Sequence, residues 1–157
     1  MAAEGGERIA LEVVTRTGVA LREEVDEVQA PSVNGEFGVL PGHLPLLAAL
    51  RSGVLTYRRR GESKRGVIGP GFAEVGADKV LVLCEHWVPE ESIDPASTRE
   101  ALDEERATLE KMHEEGITTG AVHSEHAARV EWLEAQLALS ELWAPGHRGR
   151  STDAATH

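Results

Sequence analysis

The sequence predicts a β plus α fold, in which an N-terminal antiparallel β-sandwich is followed by a C-terminal antiparallel αα-hairpin. Two observations lead to this prediction. Up to residue 88, short runs rich in β-branched residues alternate with turn signals about every 8–12 residues, which is typical of sandwiches and barrels. From residue 89 the chain is instead rich in Ala, Leu, Glu, Arg and Lys, which favour helix. We therefore predict a β-sandwich at 1–88, a helical hairpin at 89–143 and a flexible tail at 144–157.

The predicted strands are separated by turns that contain glycine, proline or asparagine. They cover residues 9–15, 19–29, 53–60, 64–68, 72–75 and 79–84. The pair Asn34-Gly35 is a strong tight-turn signal. The segment 42–50 is apolar but does not alternate, and Pro41 and Pro45 would interrupt a hydrogen-bonded ladder. We therefore predict that 42–50 is a tightly packed loop at the edge of the sandwich.

Helix start and stop signals place two helices in the second part. Asp94 is a suitable N-cap and Pro95 suits the first helical position, so we predict a helix over 96–115. A glycine-containing break at 116–120 separates it from a second helix over 124–143, with the first residue of that range, a serine, as its cap. A short connection between two helices predicts that they are antiparallel.

The acidic charge of the chain is concentrated in the predicted hairpin. The 157 residues carry a net charge of −11. Residues 89–143 hold 14 Asp and Glu against 4 Lys and Arg, whereas 1–88 hold 12 against 10. Because nucleic-acid binding needs a basic face, we predict no nucleic-acid partner.

The sequence does not indicate membrane insertion, secretion or a disulfide framework. It contains no apolar run of about 18 residues, and its first residues lack a basic and apolar leader. Cys84 is the only cysteine, which fits a reducing compartment.

Few residues are candidates for chemistry, and we predict no catalytic residue and no metal site. Cys84 ends an apolar strand and is interpreted as a small buried thiol rather than a nucleophile. The spacing of His113, His123 and His126 allows a metal hypothesis, but solvated residues of the hairpin turn explain it better. His43 lies in a proline-framed loop, where it either bonds local backbone carbonyls or contacts a partner.

One long segment carries a resemblance to a known family. Residues 34–50, NGEFGVLPGHLPLLAAL, followed by SGVL at 52–55, closely resemble the signature of the epsilon subunit of rotary F-type ATP synthases, called delta in mitochondria. The runs at 71–75 and 79–83 resemble the strand pair of that family in order and spacing. The resemblance extends over about residues 8–143 and is stronger in the sandwich than in the hairpin.

The resemblance implies a rotor subunit of the central stalk in a proton-translocating ATP synthase, without catalytic activity of its own. It implies that the sandwich binds the gamma subunit and rests on the polar loops of the membrane c-ring. The residues that match the ring-facing loop are Glu36, Phe37, Gly38 and His43. It further implies a peripheral position on the cytoplasmic face of the bacterial plasma membrane, with no direct membrane insertion.

The resemblance also implies a regulatory hairpin, which can extend along gamma into the catalytic alpha/beta head and block ATP hydrolysis. In some bacterial relatives the compact hairpin binds ATP through an Ile/Leu-Asp-x-x-Arg-Ala motif. Residues 102–107, LDEERA, match it and place ATP contacts on Asp103 and Arg106, although the match requires an insertion of about nine residues. Because the second helix is acidic, we expect weak inhibition, weak or no ATP binding and no bound cofactor.

Two other functions stay open on the residues alone. Asp103 and Arg106, three residues apart on a helix, form either a surface ion pair or a site that offers a carboxylate and a guanidinium to a ligand. The second arrangement would make the chain a nucleotide-sensing regulatory module. A histidine metal enzyme at the hairpin turn is the third hypothesis.

Overall fold

The computed structural model describes residues 7–142, which divide into two compact units at Pro89. The first unit is a ten-stranded β-sheet that closes on itself as a sandwich. Its strands are β1 Ile9–Thr15, β2 Gly18–Val25, β3 Glu27–Ser32, β4 Gly35–Val39, β5 Leu46–Leu50, β6 Gly53–Arg59, β7 Glu62–Ile68, β8 Gly71–Val75, β9 Lys79–Cys84 and β10 Trp87–Pro89.

The strand order is β10-β7-β6-β3-β5-β8-β9-β1-β2, and β4 pairs with β3 beside this path. The predicted sandwich is confirmed, and its strands pair antiparallel with one exception among the described pairs: β1 runs parallel to β9. Thus the N-terminal strand enters beside the last long strand, and the hairpin β1–β2 extends the sheet beyond it.

The core of the sandwich consists of aliphatic side chains that alternate along the strands. On β1, Ile9, Leu11 and Val13 are fully buried, while the residues between them face outward. Val80 and Val82 on β9 continue the same pattern. Because alternate residues of a strand point to opposite faces, the sequence pattern of these strands decides which face is buried.

The predicted single strand 19–29 is wrong, because the chain turns a corner at Asp26 and forms β2 and β3. The N–H of Asp26 donates to the Arg58 carbonyl over 2.7 Å, and its Oδ2 accepts from the N–H of Arg60 over 2.6 Å. Asp26 therefore fixes the corner against the β6–β7 hairpin, far away in sequence.

The predicted loop 42–50 is also wrong in its second half. Residues 46–50 form β5, which pairs with β8 from Leu46 opposite Val75 to Leu50 opposite Gly71. Pro45 lies just before the strand and removes no hydrogen bond from the ladder. The three-residue strand β10, paired with β7, was not predicted.

The second unit contains a short 3₁₀ turn at Glu90–Ser92 and two helices, α1 Pro95–Glu114 and α2 Ala121–Leu142. The predicted helical hairpin is confirmed, with α2 beginning three residues before the predicted cap. Asp94 occupies the N-cap position of α1 without a capping bond from its side chain. The predicted end of the second helix at Trp143 and the tail 144–157 lie outside the described residues.

A Schellman motif ends α1. The N–H of Gly116 donates to the carbonyl of His113 over 3.0 Å, and the N–H of Ile117 donates to that of Met112 over 2.8 Å. Gly116 has a φ of 81°, a conformation that costs other residues about 1 kcal/mol. This motif directs the chain into the turn before α2.

The hairpin has a small apolar core of its own. Leu102 of α1 packs with Leu133 and Leu137 of α2, all three being buried. Ala101, Val130 and Trp132 line the edge of this cluster. Such a core is small, so we expect the hairpin to depend on each of its leucines.

Candidate docking surface

The four residues predicted to face the ring occupy two different elements. Glu36, Phe37 and Gly38 lie on β4 rather than in a loop, and His43 lies in the following turn. Glu36 and Gly38 are exposed, whereas Phe37 is half-buried and packs against the sandwich core. Since neighbouring residues of a strand face opposite sides, the structure offers Glu36 and Gly38, but not Phe37, to the same outer side.

The turn that carries His43 is held by backbone bonds. The N–H of Gly42, which has a φ of 86°, donates to the carbonyl of Ala77 over 2.7 Å. The ring Nδ1 of His43 lies 2.6 Å from the Leu44 carbonyl, so it bonds the local backbone. Leu44 itself is 79% exposed. The turn therefore presents an apolar side chain from a fixed backbone.

An apolar face covers the outside of the sheet across β5, β8, β9 and β1. The strand register aligns Ala49 with Phe72, Phe72 with Leu83 and Leu83 with Val14 in one row. Leu47 lies two residues before Ala49 and therefore on the same side. We call these five residues the apolar face.

The large side chains of the apolar face are open to solvent. Leu47 is 71% exposed, Phe72 56% and Leu83 48%. Isolated exposed apolar residues are ordinary, but a contiguous row of them marks a site of protein interaction. Charged residues border the face: Glu74 stands opposite Leu47, and the ion pair of Arg16 with Glu85 lies beside Phe72 and Leu83.

Cys84 has the properties of an inert thiol. Its side chain is buried, and its Sγ–H donates to the His86 carbonyl over 3.3 Å. Burial raises the pKa of Cys84 to about 11, against a smaller opposite effect of that hydrogen bond. The thiol is therefore protonated at neutral pH and is a poor nucleophile.

The histidines of the hairpin find partners that their spacing did not indicate. Nε2 of His113 lies 3.0 Å from Nε2 of His123, and Nδ1 of His126 lies 2.6 Å from a carboxylate oxygen of Glu105. Within residues 7–142, no group of three or more His, Cys, Asp or Glu side chains is placed to hold a metal ion. The first pair could have been found from the predicted antiparallel hairpin, because His113 lies near the end of α1 and His123 near the start of α2.

The comparisons with known proteins decide the family. The profile of the ATP synthase delta/epsilon chain β-sandwich domain matches residues 8–90, more than half of the chain. The chain belongs to this family. It is 41% identical to ATP synthase epsilon chain 2 of Syntrophotalea carbinolica over 68% of this chain and 77% of that one. It is 43% identical to the epsilon chain of Nitratidesulfovibrio vulgaris (strain DP4), over 66% of this chain and 78% of that one.

A solved structure extends the similarity beyond the sandwich. A chain in the cryo-EM structure of the Euglena gracilis mitochondrial ATP synthase, described as OSCP/F1/c-ring, superposes with a TM-score of 0.68 at 28% identity. The match covers 85% of this chain and 81% of that chain. As an epsilon-type chain, the protein is a non-catalytic subunit of the central stalk of F-type ATP synthase. No helix within the described part of the chain is long and apolar enough to span a membrane.

The family motif of the hairpin is not arranged as a free ligand site. Arg106 does not pair with Asp103 along α1; its Nη2 lies 2.7 Å from Oε2 of Glu134 on α2. Asp103 is exposed to solvent. The structure therefore gives the guanidinium of Arg106 an internal carboxylate partner, Glu134 of α2.

Two further contacts of this kind join the helices. Oε1 of Glu105 lies 3.0 Å from Nε of Arg129, and Arg99 lies 3.6 Å from Glu141. All of these pairs run from α1 to α2, so most of the few cations of the hairpin serve to close it.

Proposed function

We propose that this epsilon-type chain couples the gamma subunit to the c-ring of a proton-translocating F-type ATP synthase. The observation that carries the proposal is the apolar face, which a non-catalytic stalk subunit needs as a docking surface. We assign this face to gamma. It combines an aromatic side chain, Phe72, with the aliphatic Leu47 and Leu83, a composition typical of the centre of a protein interface.

We assign the end of the sandwich formed by β4 and the following turn to the polar loops of the c-ring. Glu36 and Gly38 supply an exposed polar edge there, and the turn of His43 is fixed to the β8–β9 connection through Gly42. A rigid edge of this kind transmits torque without bending. This arrangement holds the chain on the cytoplasmic face of the bacterial plasma membrane through its protein partners and not through lipid.

Replacing Phe72 with aspartate is expected to weaken binding to gamma by about tenfold or more, because a carboxylate would be desolvated at the centre of the interface. Binding of the purified chain to gamma by calorimetry measures the effect. Val122→Asp is the matched control, since Val122 is 60% exposed on α2, outside the sheet that carries the apolar face. Equal affinity of the two variants would refute the assignment.

Glu36→Lys should retain gamma binding and weaken retention on the c-ring.

We propose further that the hairpin inhibits ATP hydrolysis weakly and binds ATP weakly or not at all. The negative charge of this segment opposes both nucleotide phosphates and acidic partner surfaces. The pairing of Arg106 with Glu134 adds a second reason, because a phosphate would have to displace a carboxylate already in place.

The hairpin proposal is tested by titrating the chain into the matching catalytic head with gamma. We expect the full chain and a version ending at Glu91 to bind gamma equally and to slow hydrolysis to a similarly small extent. Calorimetry with MgATP should show no saturable binding to the full chain. Glu134→Gln removes the carboxylate partner of Arg106, and this variant should bind MgATP at least as well as the full chain does. Strong inhibition that requires the hairpin, or ATP binding at physiological concentrations, would contradict the proposal, and ATP binding would favour a nucleotide-sensing module.

A further inference from the structure

Two imidazole rings meet at the closed end of the helical hairpin. His113 lies in the last turn of α1 and His123 in the first turn of α2, and their Nε2 atoms are 3.0 Å apart. The ring centroids are 5.2 Å apart and the planes differ by 25°. The two Nε2 atoms therefore come from different helices and lie within hydrogen-bonding distance of each other.

The spacing of the two nitrogens suits a shared metal ion. With metal–nitrogen bonds of about 2.05 Å, nitrogens 3.0 Å apart subtend an angle of about 95° at the metal. Angles near 90° occur in square-planar, tetragonal and octahedral sites, which Cu²⁺ and Ni²⁺ prefer. A tetrahedral Zn²⁺ would need the nitrogens about 0.3 Å farther apart.

The surroundings favour a cation. The segment 89–143 carries 14 acidic residues against 4 basic ones, which raises the local concentration of cations. The Schellman motif at Gly116 fixes the end of α1, so His113 is held in place by the backbone. His126 is one turn after His123 but is bound through Nδ1 to Glu105.

We propose that His113 and His123 form a bidentate imidazole site for a divalent transition-metal ion, Cu²⁺ or Ni²⁺ in preference to Zn²⁺. Water completes the coordination, because no third His, Cys, Asp or Glu of residues 7–142 joins the pair. The ion binds weakly and exchanges readily. Since its ligands come from α1 and α2, binding stabilises the closed hairpin over any state in which these helix ends separate. This inference does not depend on the proposed docking to gamma or the c-ring.

The test is a titration of the untagged full chain with Cu²⁺, Ni²⁺ and Zn²⁺ at neutral pH, followed by calorimetry and by the helical circular dichroism signal. We expect the parent chain to bind one ion, and we expect His113→Asn and His123→Asn each to lose this binding. The affinity should decrease in the order Cu²⁺, Ni²⁺, Zn²⁺. The melting temperature of the helices should rise with ion concentration in the parent chain but in neither of these two variants. The variant that carries both substitutions, His113→Asn and His123→Asn, measures binding by the other histidines of the chain.

His126→Asn is the matched control, because it removes a histidine that neighbours His123 on the same helix. The proposal requires that this variant keep the site. If His126→Asn loses the ion while His113→Asn keeps it, the ligands are a pair within α2 and the proposal is wrong. Equal binding by the parent chain and the double variant would also overturn it. Electron paramagnetic resonance of the Cu²⁺ complex should show two coordinated nitrogens.

Discussion

Replacing Gly71 with alanine is expected to destabilise the β-sandwich by about 3 kcal/mol or more, a large part of the stability of a small domain. A β-carbon at this position would lie 1.9 Å from the Leu83 carbonyl oxygen and 2.8 Å from the Cα of Cys84. Both atoms belong to the backbone of β9, so no side-chain rotation relieves the overlap. Because β8 is paired on both sides, with Leu50 and Cys84 opposite Gly71, the strand cannot simply move outward.

Equilibrium unfolding in urea, followed by the circular dichroism of the sheet, measures the loss of stability. Gly38→Ala is the matched control, because Gly38 also lies in a strand but its added β-carbon would meet its first neighbour, Cγ of Gln29, at 3.9 Å. We expect this control to lie within about 1 kcal/mol of the parent chain. A Gly71→Ala protein as stable as the control would show that β8 and β9 separate at little cost.

The same substitution connects the fold to the proposed docking surface. Gly71 precedes Phe72, and the close approach of β8 to β9 at this glycine places Phe72 beside Leu83 on the apolar face. A variant that folds with β8 displaced should therefore lose affinity for gamma as well as stability. The glycine is then required both for the strand pairing and for the shape of the surface that the pairing presents.

Those parts of the fold that depend on local pattern were predictable from the sequence. The β-branched-rich run at 9–15 correctly predicted a strand, and it forms β1 with the same bounds. The aspartate and proline at 94 and 95 correctly located the start of α1. In both cases the signal and the structure lie within the same few residues.

The errors arose where distant contacts decide the structure. The corner at Asp26 depends on Arg58 and Arg60, more than thirty residues away, and nothing in the run 19–29 indicates it. The strand β5 depends on pairing with β8, which outweighs the lack of alternation in 46–50. The same reason explains the hairpin pairs: spacing along one helix suggested Asp103 for Arg106, whereas the antiparallel partner helix provides Glu134.

Replacing Leu133 with alanine is expected to melt the helical hairpin and to leave the sandwich folded. Leu133 is 4% exposed and packs with Leu102 and Leu137, the only three members of the buried cluster among the described residues of this unit. A buried Leu→Ala change costs about 2–5 kcal/mol, and a core of this size cannot compensate for it. The ion pairs between the helices are largely exposed and contribute about 0.2–1 kcal/mol each, so they cannot hold the hairpin closed alone.

Thermal melting followed by the helical circular dichroism signal should show the hairpin transition at a lower temperature, with the sheet transition retained. Val122→Ala is the control, because Val122 is 60% exposed on α2 and its methyl groups stabilise little. A hairpin that melts as in the parent chain would contradict the central role of the leucine cluster. If the sheet melts together with the helices, the two units unfold as one. Because a melted hairpin cannot enter the catalytic head as a formed helix pair, Leu133→Ala should slow hydrolysis no more than the version ending at Glu91 does.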